Sequence, residues 1–162
     1  MSAIDELLQA NEAYARTFAH GSLTAPPKKR LAVVTCMDAR IEPAAAFGLR
    51  EGDAHVIRNA GGRVADALRS LAISQVYLGT EEVAIIHHTD CGMTTFTDDD
   101  IRARLRERGA IADHIAFLPF RDVEQSVRDD LALYRSSPIV RQDVVLRGFV
   151  YDVRSGRLHE VA

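Results

Sequence analysis

Two stretches of this chain, Leu31-Ala32-Val33-Val34-Thr35 and Glu82-Val83-Ala84-Ile85-Ile86-His87, are short, almost continuously apolar and rich in β-branched residues. Such runs read as strands buried on both faces of a parallel sheet, because a half-exposed strand alternates apolar with polar positions. A further strand is predicted at about Ala54 to Arg58. Val144 to Val153 and Leu158 to Val161 alternate around Ser155-Gly156 and predict a hairpin.

Between these runs the period becomes helical. Val64, Leu68, Leu71, Ala72, Gln75 and Leu78 mark a long helix from Arg63 that stops at Gly79. Val123, Val127, Leu131 and Tyr134 mark another, opened by Asp122 and Gln125 at capping-box spacing and running to about Arg135. Thr97 before Asp98-Asp99-Asp100 is an acidic helix start, and Glu42 to Phe47 is a short helix with Pro43 in its first turn and Gly48 beyond its end. At the N-terminus Ser2 caps a helix carrying Ile4, Leu7, Leu8, Tyr14 and Phe18 as an apolar stripe and ending near Gly21. This helix, residues 1–20, is expected to stand off the main body and pack on a partner. Strands alternating with helices and then a terminal hairpin predict a single α/β domain over 1–162. Its central sheet is mainly parallel, flanked by helices, with a C-terminal hairpin or antiparallel edge strand.

Composition narrows the function more than the fold. With 47% hydrophobic and 27% charged residues in 162, the chain falls in the ordinary globular class. A net charge of −3, with no basic block longer than Lys28-Lys29-Arg30, argues against a nucleic-acid partner. No apolar run reaches the roughly 18 residues of a membrane span, and the N-terminus lacks the basic start and apolar stretch of a signal peptide. The expected location is the cytoplasm, without membrane contact. Two cysteines there point to burial, metal binding or nucleophilic chemistry rather than a disulfide.

Parallel sheets place ligand sites beyond the carboxyl ends of their strands. Cys36 ends one predicted strand, and His88 and Cys91 follow the end of another. Two thiolates and one imidazole suit Zn²⁺, and the spacing His88-Thr89-Asp90-Cys91 allows one turn to supply two ligands. His88 is preferred to His87 because neighbours on a strand face opposite ways. A closed structural zinc site needs four ligands, so three suggest an open, catalytic position. Asp38 and Arg40 follow Cys36 at two-residue intervals and, in an extended chain, share its side. A carboxylate held by a guanidinium stays ionised and can orient a zinc-bound hydroxide. The alternative is that Asp38 swings in as a fourth ligand and closes a non-catalytic zinc module.

Cys36-Met37-Asp38-Ala39-Arg40, Arg58-Asn59-Ala60-Gly61-Gly62 and His88-Thr89-Asp90-Cys91-Gly92, taken in order, resemble the sequence marks of β-carbonic anhydrases, and the length resembles their short bacterial branch. The resemblance implies one zinc ion on Cys36, His88 and Cys91, with Asp38 and Arg40 as a catalytic dyad and Asn59, Ala60, Gly61 and Gly62 lining the pocket. It implies reversible hydration of carbon dioxide to bicarbonate and a proton, with zinc-bound hydroxide as nucleophile. It also implies a homodimer or tetramer of dimers, the first helix lying across a neighbour. Hydrolysis of carbonyl sulfide or carbon disulfide by the same site is the nearest alternative. His55, His87, His114 and Asp90 are nominal proton-shuttle candidates by residue type. The chain has no Trp, so the tryptophan-built inhibitory bicarbonate pocket of some family members does not transfer.

Overall fold

The computed structural model describes residues 2–161; Met1 and Ala162, the ends of the predicted domain span, lie outside the described residues. The elements in chain order are α1 (Ala3–Ala15), β1 (Leu31–Cys36), α2 (Pro43–Phe47), β2 (Ala54–Asn59), α3 (Val64–Leu78), β3 (Glu82–His88), α4 (Asp98–Glu107), α5 (Val123–Ser136), β4 (Val145–Tyr151) and β5 (Leu158–Glu160). The strands form one sheet in the order β2-β1-β3-β4-β5. The first four are mutually parallel, Leu31 lying opposite both Ala54 and Glu82, and β5 returns antiparallel to β4.

The chain leaves β1 for β2 on one side and then crosses back to place β3 on the other. Loops therefore diverge between β1 and β3, and a crevice opens at their carboxyl ends. This is where sequence patterning had put the candidate ligands.

Both faces of the sheet are covered, which accounts for the unbroken apolar runs of β1 and β3. On one face Ala32, Val34, Val83 and Ile85 pack against Val64, Ala67 and Leu71 of α3 and Val127, Leu131 and Tyr134 of α5. On the other, Val33 and Ile86 join Ile41, Met93 and Tyr151, with Phe47 of α2 against them. Helix α5 lies so close to β4 that a Cβ at Gly148 would stand 2.5 Å from Val127 Cγ1 and 2.7 Å from Leu131 Cδ1. Any side chain at that position would push the helix off the sheet.

Helix α1 behaves differently. Ser2 and Asp5 form a reciprocal capping box, yet none of its residues is buried, and Ile4, Leu7 and Leu8 are each more than 60% exposed. It ends at Ala15, not near Gly21, because the amide and hydroxyl of Thr17 both donate to the Tyr14 carbonyl and Phe18 folds back against the Tyr14 ring. Two further expectations change in detail. Asp122 caps α5 by accepting from the Gln125 amide, but the Gln125 side chain turns forward to Asp129, so only half of a capping box forms. Thr97 and Asp100 make a complete box at the start of α4. Among the described residues no helix is long and apolar enough to cross a membrane.

Candidate metal centre

Cys36 and His88 are the last residues of the adjacent strands β1 and β3. The chain then reverses through Asp90, whose φ of 55° lies in the left-handed region that aspartate tolerates better than most residues, and Cys91 comes back towards the crevice. One ligand atom from each of Cys36, His88 and Cys91 lies within 4.8 Å of the others, and all three residues are buried.

The imidazole of His88 is set up as a ligand. Its Nδ1 lies 2.8 Å from the Thr89 carbonyl, which can only accept, so Nδ1 carries the proton and Nε2 keeps its lone pair. That Nε2 is buried without a hydrogen-bond partner, a costly state unless something electrophilic fills the space in front of it. Two sulfurs stand beside it. The two thiols act on each other, Cys91 lowering the Cys36 pKa and Cys36 raising that of Cys91, because adjacent sulfurs resist a second negative charge and the proton on Cys91 is held the more tightly. An orphaned imidazole nitrogen facing two soft sulfur donors fits zinc, whose binding would displace that proton.

Around this trio the backbone is tightly held. The Gly61 amide, in a 3-10 turn at Ala60–Gly62, donates to Cys36 Sγ at 3.3 Å. A Cβ on neighbouring Gly62 would come within 2.9 Å of the Thr35 carbonyl carbon, so the turn can approach β1 only without a side chain there. Arg58 donates to the carbonyls of Cys36 at 3.0 Å and Asp38 at 2.7 Å, bracketing Met37.

Asp38 and Arg40 do meet, although not along an extended chain. The strand stops at Cys36 and a turn follows, closed by the Ile41 amide on the Asp38 carbonyl. The Arg40 amide and Nε donate to Asp38 Oδ1 at 2.9 Å each, and Nη2 donates to Oδ2 at 2.7 Å. These hydrogen bonds hold the Asp38 carboxyl well below the usual carboxylate range despite its partial burial. Its Oδ2 is 3.8 Å from His88 Nε2, at the edge of the ligand trio. Arg40 is gripped from the other side by Asp90, through carboxylate and carbonyl at 2.8 Å each.

In front of these groups lies a cavity of about 480 Å³ whose wall is mostly apolar, formed by Met37, Ala39, Ala60, Met93 and Phe96 beside Cys36, Asp38, Gly61 and Cys91. The structure divides the stretch Asn59 to Gly62. Ala60 and Gly61 face the cavity, whereas the Asn59 side chain bonds the Arg63 amide and carbonyl at 2.7 and 2.9 Å and Gly62 lies against β1. The four histidine and aspartate shuttle candidates separate as well. His87 is fully buried towards α5 and His55 bonds Ser74, while His114 is exposed in the loop after α4. Only Asp90 touches a residue of the site.

Sequence reasoning assigned no site role to Arg63, Asp130, Met93 or Phe96. For Asp130 a signal existed. It falls three residues after Val127 and four before Tyr134, on the apolar stripe of α5, where an unpaired charge would be prohibitive. Met93 and Phe96 sit in a loop without periodicity and carried no signal.

The family model described as carbonic anhydrase matches residues 31–158. The chain is 46% identical over 162 residues to Beta-carbonic anhydrase 1 of Mycobacterium tuberculosis, covering 99% of each. It superimposes on the solved carbonic anhydrase from Glaciozyma antarctica with a TM-score of 0.92 at 47% identity, over the full length of both chains. It is also 31% identical to a carbon disulfide hydrolase of Saccharolobus solfataricus, over 97% of this chain and 88% of that one.

Proposed function

Because the chain belongs to the β-carbonic anhydrase family, we propose that Cys36, His88 and Cys91 hold its single zinc ion, with Asp38 and Arg40 as the dyad that orients the attacking oxygen. The enzyme catalyses zinc-dependent reversible hydration of carbon dioxide to bicarbonate and a proton. The observation that carries the site assignment is the buried, unpartnered Nε2 of His88 facing two free thiols.

Zinc, when bound by two thiolates and an imidazole, supplies the Lewis acidity that brings the ionisation of water towards neutral pH. The protein's own groups do the rest. Asp38, kept ionised by Arg40, can only accept a hydrogen bond; the O–H of a hydroxide would donate to it, keep its proton and leave a lone pair free to face carbon. Asp90 holds Arg40 from behind, which keeps the guanidinium seated on Asp38. Met37, Ala39, Ala60, Met93 and Phe96 offer a linear, apolar substrate a dry wall that suits bicarbonate poorly, which favours product release.

A second reading, hydrolysis of carbon disulfide or carbonyl sulfide, is supported by the same wall and by the 31% identical hydrolase. The identity of 46% to a carbonic anhydrase favours carbon dioxide. Stopped-flow hydration of carbon dioxide beside a sulfide-release assay tests the choice. Fast hydration is expected; sulfide release without hydration would reverse the two readings. The non-catalytic reading, with Asp38 as fourth ligand, would require Asp38 to leave the paired hydrogen bonds that Arg40 gives it.

The working form is a homodimer or tetramer of dimers in the cytoplasm. The unburied apolar stripe of α1 supports the first part, and two thiols that must remain reduced to bind metal support the second.

A further inference from the structure

Behind the metal centre, on the opposite face of β3, lies a second cluster of ionisable groups that takes no part in the chemistry above. Its hub is Asp130 of α5, which is fully buried. Its Oδ2 accepts from Arg63 Nε and from the Val64 amide at 3.0 Å each and lies 3.1 Å from His87 Nε2, while Oδ1 accepts from Arg63 Nη2 at 3.0 Å. The other nitrogen of His87 lies 2.6 Å from Ser126 Oγ. Phe120 stacks on the His87 ring at 5.6 Å, and the Arg63 guanidinium covers the Phe120 ring at 5.5 Å. Arg63 Nη1 further donates to the Leu118 carbonyl, and the Phe120 amide donates to Met93 in the cavity wall.

From this arrangement we infer that Asp130 is a positioning residue for the metal centre: its carboxylate holds the strand end that presents His88 and the turn whose Gly61 amide meets the Cys36 sulfur. His87 and His88 are consecutive on β3, so locking both nitrogens of one ring fixes the backbone that aims the other. Arg63 follows Gly61-Gly62 directly, and α3 begins without a side-chain cap of its own; Asp130 supplies that cap from a different helix. One carboxylate thus ties α5, which offers no ligand, to the strand that bears His88 and to the turn whose Gly61 amide meets the Cys36 sulfur.

Stability alone is a poor reason for such a group, since a buried ion pair is commonly no better than apolar side chains of the same volume. What apolar packing cannot supply is a fixed direction for each of four donors. Burial acts to raise the Asp130 pKa, and the hydrogen bonds from His87 and Arg63 outweigh it, so the carboxylate stays ionised in place.

The inference rests on the zinc reading, and the experiment separates the two. Wild-type protein and Asp130→Asn are each loaded with zinc and, separately, with cobalt. The measurements are melting, zinc release to a chelator, the cobalt absorption spectrum, and kcat and KM for carbon dioxide. Asparagine keeps the size and one acceptor but donates where His87 and Arg63 donate. The expected result is a cooperative melt with zinc release faster by roughly 10-fold or more, an altered cobalt–thiolate band and a loss in kcat at nearly unchanged KM. A lower melting temperature with wild-type release rate and spectrum would show a purely structural residue and overturn the inference. Failure of wild-type protein to bind either metal would overturn the zinc reading itself, and the inference with it. Should Asp130→Asn not fold, Ser126→Ala decides: it frees only one nitrogen of His87, and a shifted cobalt band in a folded protein supports the inference while an unshifted one contradicts it.

Discussion

His87 and His88 are neighbours on one strand, equally buried, and their surroundings differ completely. Towards α5, both ring nitrogens of His87 have partners and the charges of Asp130 and Arg63 meet. Towards the crevice, His88 has one nitrogen tied to a carbonyl and the other left facing two sulfurs. The difference separates a closed polar network from a site awaiting an electrophile. A buried polar atom without a partner is rare enough that it calls for an occupant.

The sharpest way to break the contrast is to remove a ligand on the open side. Cys91→Ala should leave less than about 0.1 zinc per chain by metal analysis and reduce hydration by about 10³-fold or more, because two protein ligands rarely retain the ion. Asp38→Ala should retain zinc and reduce kcat by about 10²-fold or more, read by stopped-flow with parallel metal analysis. Zinc retained with unchanged turnover would remove Asp38 from the chemistry.

The closed side is probed by acid. The folded-state pKa of Asp130 lies below its unfolded value of about 3.9. Its contribution to stability is therefore complete above that value and is lost as pH falls through the folded pKa. Urea melts of the metal-free protein from pH 6 to pH 3 should show stability falling at the acid end, and Asp130→Asn should flatten that fall. A mutant curve parallel to wild type would mean that Asp130 titrates alike in both states. The smallest effect on the site is expected furthest from it. Leu8→Glu on α1 should change stability of the single chain by less than about 0.5 kcal/mol, since Leu8 is exposed, while shifting sedimentation towards smaller species.

The open side was readable in the sequence, and of the closed side only the place of Asp130 on an apolar stripe was. Cys36, His88 and Cys91 stand at or just beyond the ends of runs whose apolar continuity marks parallel strands, so the strand-end rule gathers them from sequence alone. The meeting of Asp38 with Arg40 was readable from spacing, but its cause is a turn, because side-chain hydrogen bonding by Asp38 to the Arg40 amide competes with continuation of the strand. The Asp130 cluster joins residues 63, 87, 118 and 130, and pairings at such separations are set by how α3 and α5 pack on the sheet, which no local pattern encodes. The early end of α1 was missed for a local reason: Thr17 takes the Tyr14 carbonyl, an event periodicity does not register.

On the reading proposed above, two thiolates and one imidazole grip a metal where β1 and β3 finish. X-ray absorption at the zinc edge of the purified protein tests it most directly. The expected result is about one zinc per chain with two sulfur neighbours at about 2.3 Å, one nitrogen at about 2.0 Å and a fourth, lighter neighbour that is not a third protein sulfur or a second imidazole. Zinc with no sulfur shell, or protein that takes up no zinc at all, would contradict it.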